Sequence, residues 1–266
     1  MSIEPPKNTI ETTSAHALDE VALEAWLRTN VPDFGRTLTV RKFKGGQSNP
    51  TYWLSDGERA YVLRKKPPGV LLPSAHAVER EYQVINALGA TDVPVAQAYG
   101  LCEDTSVIAT PFYVMAHLPG RIFFDPRLPG LPREEQAALY EELVRVLAAI
   151  HRVDVDAVGL SGYGKKGEYI QRQVKRWVSQ YEASRTDTIP SMDRLMAYLA
   201  TNVPASDETT LAHGDFRIDN VIFHPTEPRA LAVIDWELST LGHPLADAAY
   251  LCMLYDVTIP GMGGLQ

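Results

Sequence analysis

Apolar and polar positions alternate in short runs through the first part of the chain. Three such runs lie at 38–43, 52–54 and 60–63, and Asp56-Gly57 between the last two is a strong signal for a hairpin turn. A side-chain period of two residues is typical of a strand with one buried face. The pattern therefore predicts a three-stranded antiparallel meander.

One helical segment interrupts the predicted strands. Apolar side chains recur at helical spacing from 77 to 88, Gly89 follows the last of them, and Ser74 is placed to cap the helix. Two more strands are predicted near 93–99 and 112–118. Several strands with one inserted helix indicate an α+β arrangement for this half of the chain.

The segments on either side of this region follow other patterns. The first 17 or so residues are polar and contain proline, which predicts a loose tail, and Asp19 is placed to cap a short helix that follows. After Pro132 the apolar period changes to that of a helix, which predicts a mainly helical second half. Its helices are expected at 133–152, 169–181, 192–199 and 244–255, and its short strands at 211–212, 221–223 and 230–234.

Composition and charge narrow the class of protein. The 266 residues carry 25 basic and 33 acidic side chains, a net charge of −8, and 45% of them are hydrophobic. This composition excludes a disordered chain or a coiled coil, and a pI near 5.4 argues against a nucleic-acid partner. A membrane span needs about 18 consecutive apolar residues, and no apolar stretch approaches that length. The N-terminus lacks the apolar part of a secretory signal. Cys102 and Cys252 are expected to be buried thiols in a reducing cytosol, which predicts a cytoplasmic location.

Three polar residues lie at the ends of short apolar runs: Asp215, Asn220 and Asp235. Phosphoryl transfer needs a group that orients or deprotonates the attacking hydroxyl, and hard oxygen ligands for the Mg²⁺ that bridges the nucleotide phosphates. An aspartate, an asparagine five residues later and a second aspartate after a hairpin supply these parts. The segment therefore predicts an ATP- and Mg²⁺-dependent phosphotransferase, with Asp215 as the catalytic residue and Asn220 and Asp235 as metal ligands.

In order and spacing these residues resemble the protein-kinase-like superfamily, in its aminoglycoside and choline kinase branch. The catalytic-loop motif of that superfamily is matched by His213-Gly214-Asp215-x4-Asn220, and its metal-binding motif by Ile234-Asp235-Trp236-Glu237. The resemblance covers about residues 36–256. It implies a bilobal α+β fold with a tail and helix at 1–35, an N-lobe of antiparallel sheet plus one helix at 36–117, and a mainly helical C-lobe at 118–266.

The resemblance also implies where ATP binds. The loop between the first two strands, which lacks the glycine-rich motif of protein kinases, would contact the phosphates together with a cation on the third strand. An acidic residue of the helix would brace that cation, and the strand before the hinge would meet adenine. The residues implied are Gly46, Gln47, Ser48, Asn49, Arg64, Lys65, Glu81 and Met115.

Two of these assignments have a competitor. Arg64 and Lys65 face opposite sides of the strand, and Arg64 is preferred as the phosphate contact because it shares a face with Val62. Glu79 and Glu81 are two residues apart and therefore lie on different helix faces, and the family pattern favours Glu81.

Further stretches resemble a subgroup in which the kinase domain is fused to an acyl-CoA dehydrogenase-like domain and acts on a 4-hydroxyacyl-CoA: VLRKKPPG, LPSAHAVEREY and GHPLADAAYL. A basic stripe favours such an acceptor, because cationic side chains suit the phosphates of CoA. The stripe consists of Arg172, Lys175 and Arg176, of which the first and last share a helix face. An aminoglycoside or choline/amino-alcohol kinase and a nucleotide-binding pseudokinase with a regulatory role are the alternatives.

The end of the chain bears on the acceptor. Only 12 residues separate Asp235 from Asp247, too few for a long activation and peptide-docking segment, which favours a small-molecule substrate over a protein. The chain stops at Gln266, where members of the resembling family continue with further helices, so part of the wall around the acceptor is expected to be missing.

Other conspicuous residues are expected to have structural roles. His213 is predicted to orient the catalytic loop and Asp247 to brace or cap, whereas Glu237 is left between a supporting role and a solvated strand end. The segment Gly162-x-Gly164-x-x-Gly167 matches a dinucleotide-binding pattern, but no buried strand precedes it, so a flexible loop is predicted there.

Overall fold

The computed structural model describes residues 3–13, 16–35, 37–45, 49–67, 76–258 and 263–265. Loop residues Gly46, Gln47 and Ser48 and the expected helix cap Ser74 lie outside these ranges.

The chain forms two compact units. The first unit comprises Met1–Ile122 and Asn220–Glu237, and the second unit comprises Phe123–Asp219 and Leu238–Gln266. The functional division expected at 36–117 and 118–266 stays a prediction.

Strands and helices are numbered in chain order over the described residues. The strands are β1 (Thr9–Ile10), β2 (Thr39–Phe43), β3 (Thr51–Ser55), β4 (Ala60–Lys65), β5 (Ala98–Cys102), β6 (Phe112–Ala116), β7 (Thr210–Ala212), β8 (Val221–Phe223), β9 (Ala230–Val233) and β10 (Thr240–Gly242). The helices are α1 (Glu20–Asn30), α2 (Val78–Leu88), α3 (Thr105–Ile108), α4 (Arg133–His151), α5 (Tyr169–Ser184), α6 (Pro190–Thr201) and α7 (Pro244–Met253).

The first unit is built on a six-stranded antiparallel sheet. Its strands follow the order β1-β2-β3-β4-β6-β5, so the predicted meander of β2, β3 and β4 is confirmed. β1 extends the sheet at its edge, where Thr9 pairs with Phe43 and its hydroxyl accepts a hydrogen bond from Arg41 Nε at 3.1 Å. The expectation of a loose tail is therefore wrong at these residues, because a two-residue strand is too short to show a period.

Helices α1 and α2 add the apolar side chains that cover the sheet. Leu23 and Leu27 of α1 lie in one core cluster with Tyr52 and Leu54 of β3. As predicted, Asp19 caps α1, and its carboxylate accepts a hydrogen bond from the backbone N–H of Ala22 at 3.0 Å. In α2 the buried positions recur at helical spacing, and one of them is a glutamate, Glu81.

Strand β5 begins later than predicted, at Ala98 rather than near residue 93. Val93 and Ala96 are buried, which explains their strand-like pattern. However, the carbonyl of Pro94 accepts a hydrogen bond from the backbone N–H of Val233 at 2.8 Å. This segment therefore pairs with the end of β9 and joins the six-stranded sheet only further along the chain.

The β8–β9 hairpin belongs to the first unit and is anchored to the segment that ends at Ile122. Arg121 and Phe223 exchange both of their backbone hydrogen bonds at 2.8 Å. A Cβ atom at Gly120 would lie 2.4 Å from Ile222 Cγ2 and 2.4 Å from the carbonyl oxygen of Phe223. Only glycine therefore permits the backbone approach that anchors the hairpin.

The second unit is mainly helical, as predicted. The helical period of α4 places its apolar stripe in the core, through Leu139, Leu143, Val146 and Ile150. Helices α5 and α6 pack against each other and contain no fully buried residue. Strand β10, which the pattern did not predict, pairs with β7. In the described part of the chain, no helix is long and apolar enough to cross a membrane.

The predictions for the glycine-rich segment before α5 and for the two cysteines have different outcomes. The Gly162–Gly167 segment is a loop of turns and bends leading into α5, as predicted. Cys102 of the first unit is buried, but Cys252 is exposed, so the expectation of two buried thiols is wrong for Cys252. The inward face of α7 is formed by Asp247 and Leu251, and Cys252 lies outside it.

We expect Gly120→Ala to lower the free energy of unfolding by about 1–3 kcal/mol, the usual effect of forcing atoms into a packed site. Urea denaturation measures the change. The matched control is Gly162→Ala, because a Cβ there meets no atom within 4 Å, and it should change the free energy by less than about 0.5 kcal/mol. Equal effects of the two variants would contradict this account of the hairpin anchor.

Candidate active site

In the first unit, β4 and α2 bring a largely shielded arginine and a buried glutamate together. Arg64 Nε lies 3.3 Å from Glu81 Oε2, and the two side chains are 12% and 0% exposed. Lys65 follows on the opposite face of β4. Glu79, the competitor of Glu81, instead pairs with Lys66 at 2.8 Å. Of the two candidate cations and the two candidate acids, Arg64 and Glu81 are the ones that contact each other.

Two neutral side chains complete the surroundings of Glu81. Asn49 Nδ2 donates a hydrogen bond to Oε1 at 2.8 Å, and the hydroxyl of Tyr113 donates one to Oε2 at 2.9 Å. Burial raises the pKa of Glu81, whereas Arg64 and the Tyr113 hydrogen bond act in the opposite direction. Burial is the largest of these effects, so the pKa of Glu81 lies above its ordinary value.

Asp235 lies two residues after the end of β9 and contacts the same arginine. Its Oδ1 is 3.2 Å from Arg64 Nη2, and its side chain is 36% exposed. Its backbone has a φ of 66°, a left-handed conformation that few residues other than glycine adopt. The chain turns sharply at this point, and the turn directs the carboxylate to Arg64 instead of along the strand.

The other predicted residues of the first unit lie around this cluster. Asn220 precedes β8 and is buried, and its backbone carbonyl accepts a hydrogen bond from the N–H of Ile234 at 2.9 Å, which joins the two ends of the hairpin. Met115 is buried in β6 opposite Val62. Gly46, Gln47 and Ser48 fall outside the described residues.

The donor set for a metal consists of oxygen atoms. Among the described residues, no group of three or more His, Cys, Asp or Glu side chains is arranged to hold a metal ion. Asn220 and Asp235 offer an amide and a carboxylate oxygen. This small, hard set fits Mg²⁺, which takes one or two protein ligands and completes its shell with water and phosphate oxygens.

In the second unit, Asp215 lies between a cation and a hydroxyl. Arg217 Nε is 3.2 Å from Asp215 Oδ1, and Arg217 Nη2 is 3.3 Å from Asp219 Oδ2. The hydroxyl of Tyr250 forms a hydrogen bond with Asp215; burial, and then this bond, raise the pKa of Tyr250 to about 12. Arg217 and Tyr250 therefore restrict the orientation of the Asp215 carboxylate.

The backbone before Asp215 is held by a second, buried aspartate. Asp247 accepts hydrogen bonds from the N–H groups of His213 and Gly214, both at 2.8 Å, and its Oδ2 lies 3.2 Å from His151 Nε2. Burial alone would raise the pKa of Asp247, but the hydrogen bonds from His151 and these two amides outweigh burial and lower it. Asp247 braces the backbone of His213 and Gly214, which is the bracing contact that the sequence predicts for it.

His213 is itself fully buried, and its Nδ1 accepts a hydrogen bond from the backbone N–H of Asp215 at 3.2 Å. This geometry suits a residue that orients the loop. Gly214 has a φ of 85°, and a Cβ there would lie 2.6 Å from the carbonyl oxygen of Leu238. Glycine is therefore required between His213 and Asp215.

The residues of the basic stripe on α5 are not equivalent. Arg172 directs its guanidinium to the backbone carbonyl groups of Gly167 and Lys165. Lys175 and Arg176 are exposed. Arg172 thus supports the loop before α5, and the exposed cations are the other two.

Four residues beside the predicted ones were not identified from the sequence: Tyr113, His151, Arg217 and Tyr250. Arg217 lies inside the catalytic-loop motif, so its position was an available signal. Tyr113 lies directly opposite Arg64 in the β4–β6 pairing, but that register is known only from the structure. His151 contacts Asp247 and Tyr250 contacts Asp215, in each case far away along the chain. A single sequence carries no signal for such contacts.

The chain is similar in sequence and fold to known proteins. The phosphotransferase enzyme family (APH) matches residues 39–262. A crystal structure from Ralstonia eutropha, provisionally named an aminoglycoside phosphotransferase, is 51% identical with a TM-score of 0.84, and the match covers 91% of this chain and 72% of that one. An aminoglycoside phosphotransferase solved with streptomycin and ATP shares the fold at 18% identity, with a TM-score of 0.65 over 94% of this chain and 80% of that one.

Relatives of the expected subgroup are also found. Acyl-CoA dehydrogenase family member 11 of Rattus norvegicus is 47% identical over 260 residues, which is 96% of this chain and 33% of that protein. The Gallus gallus protein of the same name is 50% identical over the same shares. The chain therefore spans about a third of the length of these relatives. The predicted kinase-like α+β fold is confirmed, and because the family pattern extends over most of its length, the chain belongs to the phosphotransferase enzyme family.

Proposed function

We propose that this protein transfers the γ-phosphoryl group of ATP to a hydroxyl group of a small molecule, and that the acceptor is of the hydroxyacyl-CoA type. The observation that carries the proposal is the contact of Arg64 with both Glu81 and Asp235 in a chain of the phosphotransferase family. A phosphate-binding cation, its brace and a metal-binding carboxylate are the parts that this chemistry requires.

The nucleotide would be held by the first unit. Arg64 would bind the α- and β-phosphates through its planar guanidinium, and Glu81 would keep that group in place. The loop at 46–49 would contribute backbone N–H groups to the phosphates. Met115 and the backbone after β6 would meet the adenine.

Asn220 and Asp235 would hold Mg²⁺, since both present oxygen atoms. When bound, the metal neutralises charge on the β- and γ-phosphates. In the structure Asp235 is paired with Arg64. When the nucleotide binds, phosphate oxygens would replace the Asp235 carboxylate as the partner of the Arg64 guanidinium.

Asp215 would orient the acceptor hydroxyl and take up its proton. Arg217 and Tyr250 restrict its carboxylate, and Asp247 holds the backbone that leads to it. The reaction would depend on positioning and charge neutralisation, with no covalent intermediate on the protein.

Two observations support an acyl-CoA-type acceptor over an aminoglycoside. Lys175 and Arg176 are exposed cations on α5, which suit the phosphates of CoA and would repel a polycationic amino sugar. The relatives that match this chain over about a third of their own length are named acyl-CoA dehydrogenase family members.

A mass-spectrometric screen tests the acceptor. The protein with Mg²⁺ and ATP is offered hydroxyacyl-CoAs, aminoglycosides and amino alcohols, and we expect one added phosphate on the hydroxyacyl-CoAs only. Phosphorylated amino sugars or amino alcohols would move the assignment to the alternative kinases. ATP binding without any phosphorylated product would support a pseudokinase.

Asp215→Asn should lower kcat by about 10²–10⁴-fold, because the amide cannot accept the proton, while the Kd for ATP stays within about twofold. Steady-state kinetics and calorimetry give the two numbers. Asp219→Asn is the matched control in the same loop, and it should lower kcat by less than about tenfold. Full turnover by the Asp215 variant would show that this residue is not the base.

Arg64→Lys should raise the KM for ATP by about tenfold, because an ammonium group cannot form the two parallel hydrogen bonds of a guanidinium. Lys65→Met, on the opposite face of β4, should change KM by less than about threefold. The reverse ranking in ATP-dependent kinetics would assign the phosphate contact to Lys65.

A further inference from the structure

Three elements besides α2 direct donors at the carboxylate of Glu81, which is fully buried. Arg64 comes from β4, Tyr113 from β6, and Asn49 from the chain just before β3. A kinase-like pair of strand cation and helix acid needs only the first of them. The two neutral donors, Tyr113 and Asn49, are therefore additional to that pair.

Tyr113 is built to face the ion pair. In the antiparallel pairing of β4 and β6, Arg64 and Tyr113 are direct partners, so their side chains lie on the same face of the sheet. The ring is fully buried, and its hydroxyl lies 2.9 Å from Glu81 Oε2. Burial, and then Glu81, raise the pKa of Tyr113 well above its ordinary value, so this hydroxyl keeps its proton and donates.

Asn49 connects Glu81 to the loop expected to contact the nucleotide phosphates. It follows residues 46–48 directly in the chain and is fully buried. Its Nδ2 lies 2.8 Å from Glu81 Oε1, and its Oδ1 has no hydrogen-bond partner among the described residues. The amide is therefore oriented by the carboxylate.

Arg64 divides its guanidinium between two carboxylates. Its Nε faces Glu81 and its Nη2 faces Asp235. When phosphates replace Asp235 as a partner, the guanidinium can keep its direction only if Glu81 stays in place. The hydrogen bonds from Tyr113 and Asn49 hold Glu81 independently of Arg64.

We propose that Tyr113 and Asn49 are positioning residues for nucleotide binding, which fix the Glu81 carboxylate so that Arg64 presents its guanidinium to the phosphates. This inference rests on the proposed function of the site. It assigns neither side chain a contact with the nucleotide, and it differs from a purely structural role, in which the two bonds would stabilise the first unit alone.

The chain offers a matched control for Tyr113. Tyr61 of β4 is also buried, and its hydroxyl donates a hydrogen bond to the buried carboxylate of Asp56 at 2.8 Å, in the turn between β3 and β4. Tyr113→Phe and Tyr61→Phe each remove one hydroxyl from one buried tyrosine. The two variants should lower the melting temperature to a similar extent.

Their effects on the nucleotide should differ. We expect Tyr113→Phe to raise the KM and the calorimetric Kd for Mg·ATP by about tenfold, which corresponds to about 1.4 kcal/mol, with kcat within about twofold. The α- and β-phosphates are bound in the ground state and in the transition state alike, so binding is lost without loss of kcat. Tyr61→Phe should leave both constants within about twofold. Asn49→Ala should act in the same direction as Tyr113→Phe.

Glu81→Gln tests whether the two residues act through Glu81. In that background, which lacks the charge that Arg64 pairs with, Tyr113→Phe and Asn49→Ala should each change the Kd by less than about twofold. A full further loss there would overturn the inference, because the residues would act elsewhere. So would equal Kd values for Tyr113→Phe and Tyr61→Phe in a protein that binds ATP. If the unmodified protein binds no ATP, the proposed function fails and the inference fails with it.

Discussion

The contact between Arg64 and the buried Glu81 is the interaction on which the proposed nucleotide site of the first unit depends. A carboxylate removed from water is strongly unfavourable unless it is paired and hydrogen-bonded, and Glu81 meets both conditions. The pair joins β4 to α2, so a shift of either element would leave a buried charge without its partner. It also sets the direction of the guanidinium towards Asp235, which links the sheet to the end of the β8–β9 hairpin.

In the second unit, a buried carboxylate holds the backbone of an irregular loop. The loop that carries His213, Gly214 and Asp215 has an irregular backbone, so regular secondary structure cannot satisfy its N–H groups. The buried carboxylate of Asp247 accepts two of them, and His151 at the end of α4 supports that carboxylate from the other side. Asp215 therefore projects from a backbone that is held by packed helices, which is the usual way in which a rigid scaffold positions a functional loop.

Periodicity predicted the contact between Arg64 and Glu81, because both lie on elements with one buried face. Alternation along β4 separates Arg64 from Lys65, and helical spacing separates Glu81 from Glu79, because each pattern has a fixed geometry. The same reasoning failed where burial and secondary structure are not coupled. Val93 and Ala96 are buried without being in a strand, and Cys252 lies on an apolar helix but outside its buried face.

The order and spacing of Asp215, Asn220 and Asp235 indicated the family from the sequence alone and predicted a kind of chemistry, because a motif read along the chain needs no knowledge of contacts. Only the tertiary structure decided which side chains hold the functional groups in place. The hydroxyl of Tyr113 reaches Glu81, which is 32 positions away in the chain, and the strand register places Tyr113 opposite Arg64. Long-range pairing of this kind depends on how packed elements align, and it leaves no local pattern from which it could be inferred.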